Sequence, residues 1–209
     1  MPRGKKSADH APPYSRRRFD VVAIGTSAGG LNALSKVLRA LPVSFPSSIV
    51  VVQHLSPSHK SFMPDLLRRS TQLQIKQAEH GEIMLPGTVY IAPPDQHLLV
   101  GRGTLQLAHT QLVHFSRPSI DLLFESVAGT YGSRGMGVVL SGSGSDGAAG
   151  IRAIREAGGT TIAQKPDEAE FPPMPSAAVQ TGCIDLVLPL EKIGQTLLEQ
   201  CAGKVKSTR

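Results

Sequence analysis

Cysteine is scarce in this sequence. Its 209 residues include only two, Cys183 and Cys201. Two isolated cysteines are too few for a disulfide framework or for a zinc site. We therefore expect both to be reduced structural thiols, as is usual in the cytoplasm.

Long hydrophobic runs are also missing. The sequence has no stretch of about 18 or more apolar residues, so we expect no transmembrane helix. Its basic first residues are not followed by the apolar region of a secretory signal peptide. These two absences predict a cytoplasmic protein without membrane insertion.

Excess positive charge is absent from the body of the chain, although the formal net charge is +6. Residues 1–18 contain six Lys or Arg and one Asp, and residues 204–209 contain three more basic residues. The segment between them has 13 basic and 15 acidic residues. We interpret 1–18 as a disordered basic tail and 204–209 as a basic C-terminal tail, and we expect no nucleic-acid binding.

Strand-like and helix-like segments alternate across residues 19–203. "FDVVAIG" and "SSIVVVQHL" are patterns of fully buried strands, and "GGLNALSKVLRALP" has leucines at helical spacing. "HKSFMPDLLRRST" predicts a helix, or two short ones interrupted at Pro64. Between Gly81 and His114 short strands are indicated, with "GRG" at a hairpin turn. The order predicts one doubly wound α/β domain, with a mainly parallel sheet, helices on both faces and an antiparallel β-hairpin at the edge.

The stretch "DVVAIGTSAGG" allows two readings, of which the first is a phosphate-binding loop. A dinucleotide fingerprint needs three glycines in the pattern G-x-G-x-x-G after the first strand. Gly25 and Gly30 fill the outer positions, but Ser27 occupies the middle one. The second strand also ends in Gln53 and His54, without the acid that would hold a ribose. Nucleotide binding is therefore the weaker reading.

The second reading is a nucleophile turn, G-x-S-x-G, which Gly25, Ser27 and Gly29 fit. Glycines two residues before and after the serine let a tight turn present its hydroxyl near a helix N-terminus. The five residues alone are a weak signal, since Ser27 could equally cap the helix that follows.

A serine nucleophile needs a base and a group that orients the base. His54 ends the second predicted strand, and Asp146 lies in the glycine-rich loop after "GVVL". Ends of parallel strands meet at one edge of the sheet, so Ser27, His54 and Asp146 form a candidate triad. Taken singly, His54 could be structural and Asp146 could cap the following helix. The order Ser, His, Asp differs from that of ordinary α/β-hydrolases.

Six blocks in order resemble the catalytic domain of the chemotaxis methylesterase family, CheB: "IGTSAGG", "VVVQHLSPSHKSFMPDLL", "VYIAPPDQHLLV", "RPSIDLLFESVA", "VVLSGSGSDGAAGIRAI" and "TIAQKPDEAEFPPMPSAA". The resemblance spans roughly Val21 to Leu190. It implies a doubly wound α/β catalytic domain over residues 19–203. It also implies a serine hydrolase that demethylates glutamate methyl esters on chemoreceptor signalling helices, and that in many members deamidates glutamines there, without metal or cofactor.

Carried over by position, the family's catalytic serine, histidine and aspartate fall on Ser27, His54 and Asp146. Two positions beside the implied oxyanion hole depart from the common family pattern. Ala28 stands where threonine is frequent, and Ser143 where methionine is frequent. Their backbone N–H groups can still stabilise an oxyanion, because that donor does not depend on the side chain.

Three further residues are expected to line the substrate cleft. Gln53 and Arg117 are candidates for positioning a receptor helix, although Arg117 could equally be a surface or helix-entry residue. Met174 lies in "AEFPPMP", which is expected to form a wall of the cleft, where packing is its more common role.

Regulation and activity leave alternatives. Typical family members have an N-terminal phosphoreceiver domain, and about 18 residues before the first strand are too few for one. The resemblance therefore implies control by a separate receiver-domain protein, no control by phosphorylation, or a chain cut from a longer one. The altered Ala28 and Ser143 also leave open a catalytically impaired receptor-binding module of the same fold.

Overall fold

The computed structural model describes residues 19–54, 62–113 and 115–202, and both predicted tails lie outside these ranges. The strands in the described ranges are β1 (Val21–Thr26), β2 (Ser48–Gln53), β3 (Gln74–Gln77), β4 (Thr88–Ile91), β5 (His97–Val100), β6 (Leu105–Ala108), β7 (Gly135–Val139), β8 (Thr160–Gln164) and β9 (Leu186–Leu188). The α-helices are α1 (Gly30–Arg39), α2 (Met63–Arg68), α3 (Ile120–Tyr131), α4 (Ala148–Glu156), α5 (Pro173–Gln180) and α6 (Leu190–Ala202). Within 19–54, 62–113 and 115–202, no helix is long and apolar enough to cross a membrane.

Seven strands form one sheet in the order β3-β4-β2-β1-β7-β8-β9. Every neighbouring pair in this sheet is parallel. Strands β2, β4 and β3 lie on one side of β1, and the later strands β7, β8 and β9 lie on the other side. This reversal beside β1 is a topological switch point, where open α/β sheets bind ligands beyond the carboxyl ends of their strands. The predicted doubly wound α/β fold is confirmed.

Helices cover both faces of the sheet, and β1 shows how its residues divide between them. Val22 and Ile24 belong to the core layer that includes α1, α2 and α6. Val21 and Ala23 belong to the opposite layer, with α3, α4 and α5. Successive strand residues point to opposite faces. A central strand buried on both sides therefore has the continuous apolar run that the sequence shows.

The predicted hairpin is formed by β5 and β6, an antiparallel pair that makes a two-stranded sheet of its own. It rests on α3 and does not extend the seven-stranded sheet. Val100 N donates to Ser126 Oγ at 3.0 Å, and Thr130 Oγ1 donates to Val100 O at 3.1 Å. The hairpin thereby contacts α3 directly.

Of the two alternatives for "HKSFMPDLLRRST", a single helix fits the described part of the segment, and an interruption at Pro64 does not. Helix α2 begins at Met63 and has Pro64 in its first turn. A first-turn N–H has no partner within the helix, so proline loses nothing there and its fixed φ favours the helix start.

Helix α3 approaches β1 very closely at Gly25. An ideal Cβ placed on Gly25 would lie 2.3 Å from the Cγ2 atom of Ile120. Ile120 is the first residue of α3. Only glycine permits this distance. The contact brings the N-terminus of α3 to the carboxyl end of β1.

We expect Gly25→Ala to lower the free energy of unfolding by about 1–3 kcal/mol, because the new methyl group overlaps Ile120 and displaces α3. Urea denaturation measures this loss. Gly129→Ala in the same helix is the matched control, since its Cβ would meet nothing within 4 Å. The control variant should be as stable as the wild type or more stable by up to about 1 kcal/mol. Equal stability of the two variants would contradict the close approach.

Candidate active site

Ser27 follows β1 directly, in a tight turn that leads into α1. Its carbonyl oxygen accepts a hydrogen bond from Gly30 N at 2.9 Å. Gly29 has a φ of 73°, a left-handed conformation that glycine adopts without strain. A Cβ on Gly29 would also lie 2.8 Å from Ser141 Oγ. The turn therefore needs the second glycine of the G-x-S-x-G pattern, and it leaves Ser27 half-buried at the carboxyl edge of the sheet.

His54 lies beside Ser27 because of the strand register. β1 and β2 are parallel with Thr26 opposite Gln53, and His54 N donates to Thr26 O at 3.1 Å. Ser27 and His54 are the next residues on these adjacent strands, whose backbones are about 4.8 Å apart.

The His54 imidazole is held by the carboxylate of Asp146. His54 Nε2 lies 2.8 Å from Asp146 Oδ2. An ionised carboxylate only accepts hydrogen bonds, so the tautomer that fits has the proton on Nε2 and a lone pair on Nδ1. The His54 side chain is 19% exposed and that of Asp146 5%, so this contact is largely shielded from water.

Asp146 is itself held at the N-terminus of α3. Its carboxylate accepts hydrogen bonds from Ile120 N at 2.8 Å, Asp121 N at 2.9 Å and Ser119 Oγ at 3.1 Å. Burial by itself would raise the pKa of Asp146. The hydrogen bonds from His54 and from the two backbone N–H groups outweigh burial and lower that pKa. Asp146 is therefore ionised at neutral pH.

The alternative reading of Asp146 as a cap of the following helix is wrong, because its carboxylate accepts N–H groups at the start of α3. The residue before α4 is Gly147, which has no side chain to cap that helix. Two backbone N–H groups at the start of α4 donate instead to Asp121 Oδ1, from Gly147 at 2.9 Å and from Gly150 at 2.7 Å.

Two backbone N–H groups near Ser27 are available to a ligand. Those of Ala28 and Ser143 donate to no other residue in the described part of the chain. The neighbouring N–H of Gly142 is already used, since it donates to Phe171 O at 3.0 Å. Ala28 and Ser143 are also the two positions predicted for an oxyanion hole.

Gln53 was predicted to contact substrate, but its side chain is only 6% exposed. Its Nε2 donates to Ser27 O at 2.6 Å and to His54 O at 3.0 Å. The amide therefore joins the two strand ends and supports Ser27 and His54.

Arg117 lies in the wall on the His54 side of the site. Its guanidinium donates to Asp95 Oδ1 from Nε at 2.9 Å and from Nη2 at 2.6 Å, and to Thr110 O at 2.6 Å. These contacts use most of its donors to hold the loop together. The opening beside His54 is lined by Asp95, Leu112, Phe115, Ser116, Arg117 and Pro118.

Met174 is packed on the other side of Ser27 and is 1% exposed. An ideal Cβ on Gly142 would lie 2.8 Å from Met174 Sδ and 2.9 Å from Ser27 Cβ. Gly142 therefore fits between these two side chains. Packing is the role that the geometry of Met174 shows.

Several buried polar residues that the sequence analysis did not single out complete the surroundings. Ser119 caps α3, and its N–H donates to His97 Nδ1 at 3.1 Å. His97 Nε2 in turn lies 3.0 Å from Gln111 O, which fixes the neutral tautomer. A serine before a predicted helix is a readable cap signal, whereas the partners from the hairpin are not local in sequence. No group of three or more His, Cys, Asp or Glu in the described ranges could hold a metal ion.

Comparison with known proteins finds relatives of one family. The sequence model of the CheB methylesterase family matches residues 22–197. Protein-glutamate methylesterase/protein-glutamine glutaminase 2 of Anaeromyxobacter dehalogenans is 41% identical over 197 residues, which cover 94% of this chain and 58% of that protein. Protein-glutamate methylesterase FrzG of Myxococcus xanthus is 41% identical, with 95% of this chain and 58% of that protein covered.

A shorter relative and a solved structure align over nearly their whole length. A Leptospira interrogans protein named for the same two activities is 40% identical over 86% of this chain and 94% of its own length. The crystal structure of the Thermotoga maritima CheB methylesterase catalytic domain superposes with a TM-score of 0.83 at 35% identity, covering 86% of this chain and 97% of that one. This chain thus spans just over half of the two longer relatives and matches an isolated catalytic domain almost completely.

Asp121 is the second buried carboxylate of the site, and ionising it is unfavourable. Burial and, to a smaller extent, the negative charge of Asp146 raise its pKa to about 6, although the N–H groups of Gly150 and Gly147 partly oppose this. In the unfolded chain an aspartate has a pKa near 3.9. Between about pH 4 and 6 the folded protein therefore holds a proton that the unfolded protein has lost, so this group's contribution to stability falls as the pH rises.

We expect Asp121→Asn to be more stable than the wild type at pH 7.5, by on the order of 2–3 kcal/mol, because an amide accepts the same two hydrogen bonds without ionising. The advantage should shrink towards pH 4, where the wild-type carboxyl is protonated. Urea denaturation of both proteins at pH 4.5, 6 and 7.5 measures the difference. A stability difference that does not vary with pH would contradict the raised pKa.

Proposed function

The chain belongs to the CheB methylesterase family, and we propose that it is a serine hydrolase that removes methyl groups from glutamate methyl esters on the signalling helices of chemoreceptors. We propose that it also deamidates glutamine side chains there. The observation that supports this best is the 2.8 Å contact between His54 Nε2 and Asp146 Oδ2, with Ser27 on the adjacent strand end.

In the proposed acylation step, Ser27 Oγ attacks the carbonyl carbon of the glutamyl ester. His54 Nδ1 takes the hydroxyl proton, because Nε2 is occupied by its bond to Asp146. The ionised Asp146 stabilises the resulting imidazolium. When the tetrahedral intermediate collapses, the imidazolium returns the proton to the departing methoxide, and methanol leaves an acyl-Ser27 ester.

Water then completes the reaction. His54 removes a proton from the water molecule as its oxygen attacks the acyl carbon, and it returns that proton to Ser27 Oγ. The products are a glutamate side chain and free enzyme. An amide substrate follows the same course with ammonia as the leaving group, so no metal or cofactor is needed for either reaction.

The negative oxygen of both intermediates needs donors placed in advance. We assign this role to the backbone N–H groups of Ala28 and Ser143, since neither has another partner among the described residues. Both donors are backbone N–H groups, so neither is lost when the side chain differs from the common family pattern. In this proposal Gln53 supports the strand ends, Arg117 stiffens the cleft wall and Met174 packs behind Ser27.

The proposed partners are methylated cytoplasmic helices of a chemoreceptor, and the protein would act in the cytoplasm where those helices lie. The family names of the relatives support the reaction class, but the receptor and its modified residues are part of the proposal.

A receptor-binding module with impaired catalysis is the second candidate, and the altered Ala28 and Ser143 favour it. A fluorophosphonate probe separates the two candidates, because it labels only an activated serine. Labelling of Ser27 in the wild type and its loss in His54→Ala support the hydrolase. A protein that binds receptor fragments but is never labelled would establish the binding module instead.

The reaction is tested with a receptor fragment that carries radioactive methyl groups, by measuring released methanol. We expect Ser27→Ala and His54→Ala each to lose activity by about 10³-fold or more, because nucleophile and base act as a unit. Asp146→Asn should lose on the order of 10²–10⁴-fold through the wrong imidazole tautomer. Ser133→Ala, an exposed serine at the amino end of β7, is the matched control and should retain full activity. Equal methanol release by the wild type and Ser27→Ala would overturn the proposal.

A further inference from the structure

Asp121 has no part in the proposed reaction, yet its carboxylate lies against the loop that holds Asp146. The side chain is 4% exposed. Its Oδ1 accepts hydrogen bonds from Gly147 N at 2.9 Å and from Gly150 N at 2.7 Å. Gly147 is the residue immediately after Asp146, so Asp121 fixes the backbone on one side of the proposed catalytic carboxylate.

The two acids cap each other's helices. Asp146 precedes α4 and accepts the first N–H groups of α3, from Ile120 at 2.8 Å and Asp121 at 2.9 Å. Asp121 lies in the first turn of α3 and accepts the first N–H groups of α4. Neither helix can slide along the other without breaking bonds to both carboxylates, so the two helix starts behave as one unit.

This unit determines where Asp146 stands relative to His54. The backbone of His54 is held by Thr26 and Gln53, and its imidazole is held through Nε2 by Asp146 Oδ2. A loop shift of 1 Å would lengthen that 2.8 Å contact beyond hydrogen-bond distance. A proton relay is sensitive to errors of this size.

We propose that Asp121 is a positioning residue of the proposed esterase: through Gly147 and Gly150 it sets the carboxylate of Asp146 against His54. The inference rests on the proposed function only in that Ser27, His54 and Asp146 act together. It predicts that hydrogen-bond geometry at position 121 controls the reactivity of Ser27.

The test uses three variants of the full chain, assayed well below their melting temperatures. Asp121→Ala removes the acceptor, Asp121→Glu keeps the charge but moves the acceptor by one methylene, and Asp121→Asn keeps an acceptor in place. We expect kcat for methanol release to fall at least tenfold in the Ala and Glu variants with KM within about twofold of the wild type. The Asn variant should remain within about fivefold of wild-type kcat.

Asp185→Ala is the matched control for Asp121→Ala. Asp185 also accepts a backbone N–H, that of Thr161 at 3.0 Å, but it lies at the amino ends of β8 and β9. Its variant should lose stability and keep wild-type kcat. If Asp121→Ala does not fold, the comparison of Asp121→Glu with Asp121→Asn decides alone. Both side chains retain an acceptor, but only asparagine keeps that acceptor in the wild-type position.

A second readout separates this inference from the proposed function. The rate at which a fluorophosphonate labels Ser27 requires an activated serine and no receptor. We expect labelling to slow at least tenfold in Asp121→Ala and Asp121→Glu. Wild-type labelling rates in those folded variants would overturn the role of Asp121 even if methanol release by the wild type is normal. Slow labelling in the variants of a protein that releases no methanol would support the role of Asp121 and reject the substrate.

Discussion

A buried carboxylate stays ionised only when hydrogen-bond donors replace the water that it has lost. For Asp146 the donors are two backbone N–H groups at the start of α3, the hydroxyl of Ser119 and the ring of His54. The positive end of the α3 dipole adds to them. This arrangement requires α3 to start beside the end of β1, which in turn requires glycine at position 25 where the helix meets the strand. A packing contact in the core and the charge state of the site are thus parts of one arrangement.

The parallel sheet explains why three residues distant in sequence meet. Carboxyl ends of parallel strands lie along one edge, and β1 has β2 on one side and β7 on the other. Ser27 and His54 follow adjacent strands in register, and Asp146 lies in the loop after β7. At the same edge the backbone N–H groups of Ala28 and Ser143 donate to no other group within residues 19–54, 62–113 and 115–202. The sheet topology therefore brings the site residues together. Their sequence order, Ser, His, Asp, follows the order of β1, β2 and β7 along the chain.

Asp146 and Asp121 affect the stability of the folded state in opposite directions. The bonds that keep Asp146 ionised favour the folded state, while the neighbouring Asp121 makes the folded state less favourable at neutral pH. Strain of this kind is common where a site must be held in one geometry. Gln53 shows the same pattern on a smaller scale, since its Nε2 supports both strand ends while its Oε1 is buried without a partner in the described residues.

The sequence by itself determined the fold class, the nucleophile turn and the candidate triad, because these depend on local patterns: apolar runs, a glycine turn around Ser27, and polar residues at strand ends. Ala28 and Ser143 came instead from the family resemblance, which implied where the oxyanion hole lies; their backbone donors do not depend on the side chain. Only the tertiary structure shows that Asp146 accepts the first N–H groups of α3 and that the Gln53 side chain points into the protein. It also shows that the Arg117 guanidinium donates to Asp95. It alone showed Asp121 and His97, whose partners come from other elements. Side-chain direction and long-range hydrogen bonds depend on how elements pack, and no periodicity within one segment encodes a partner that lies in another.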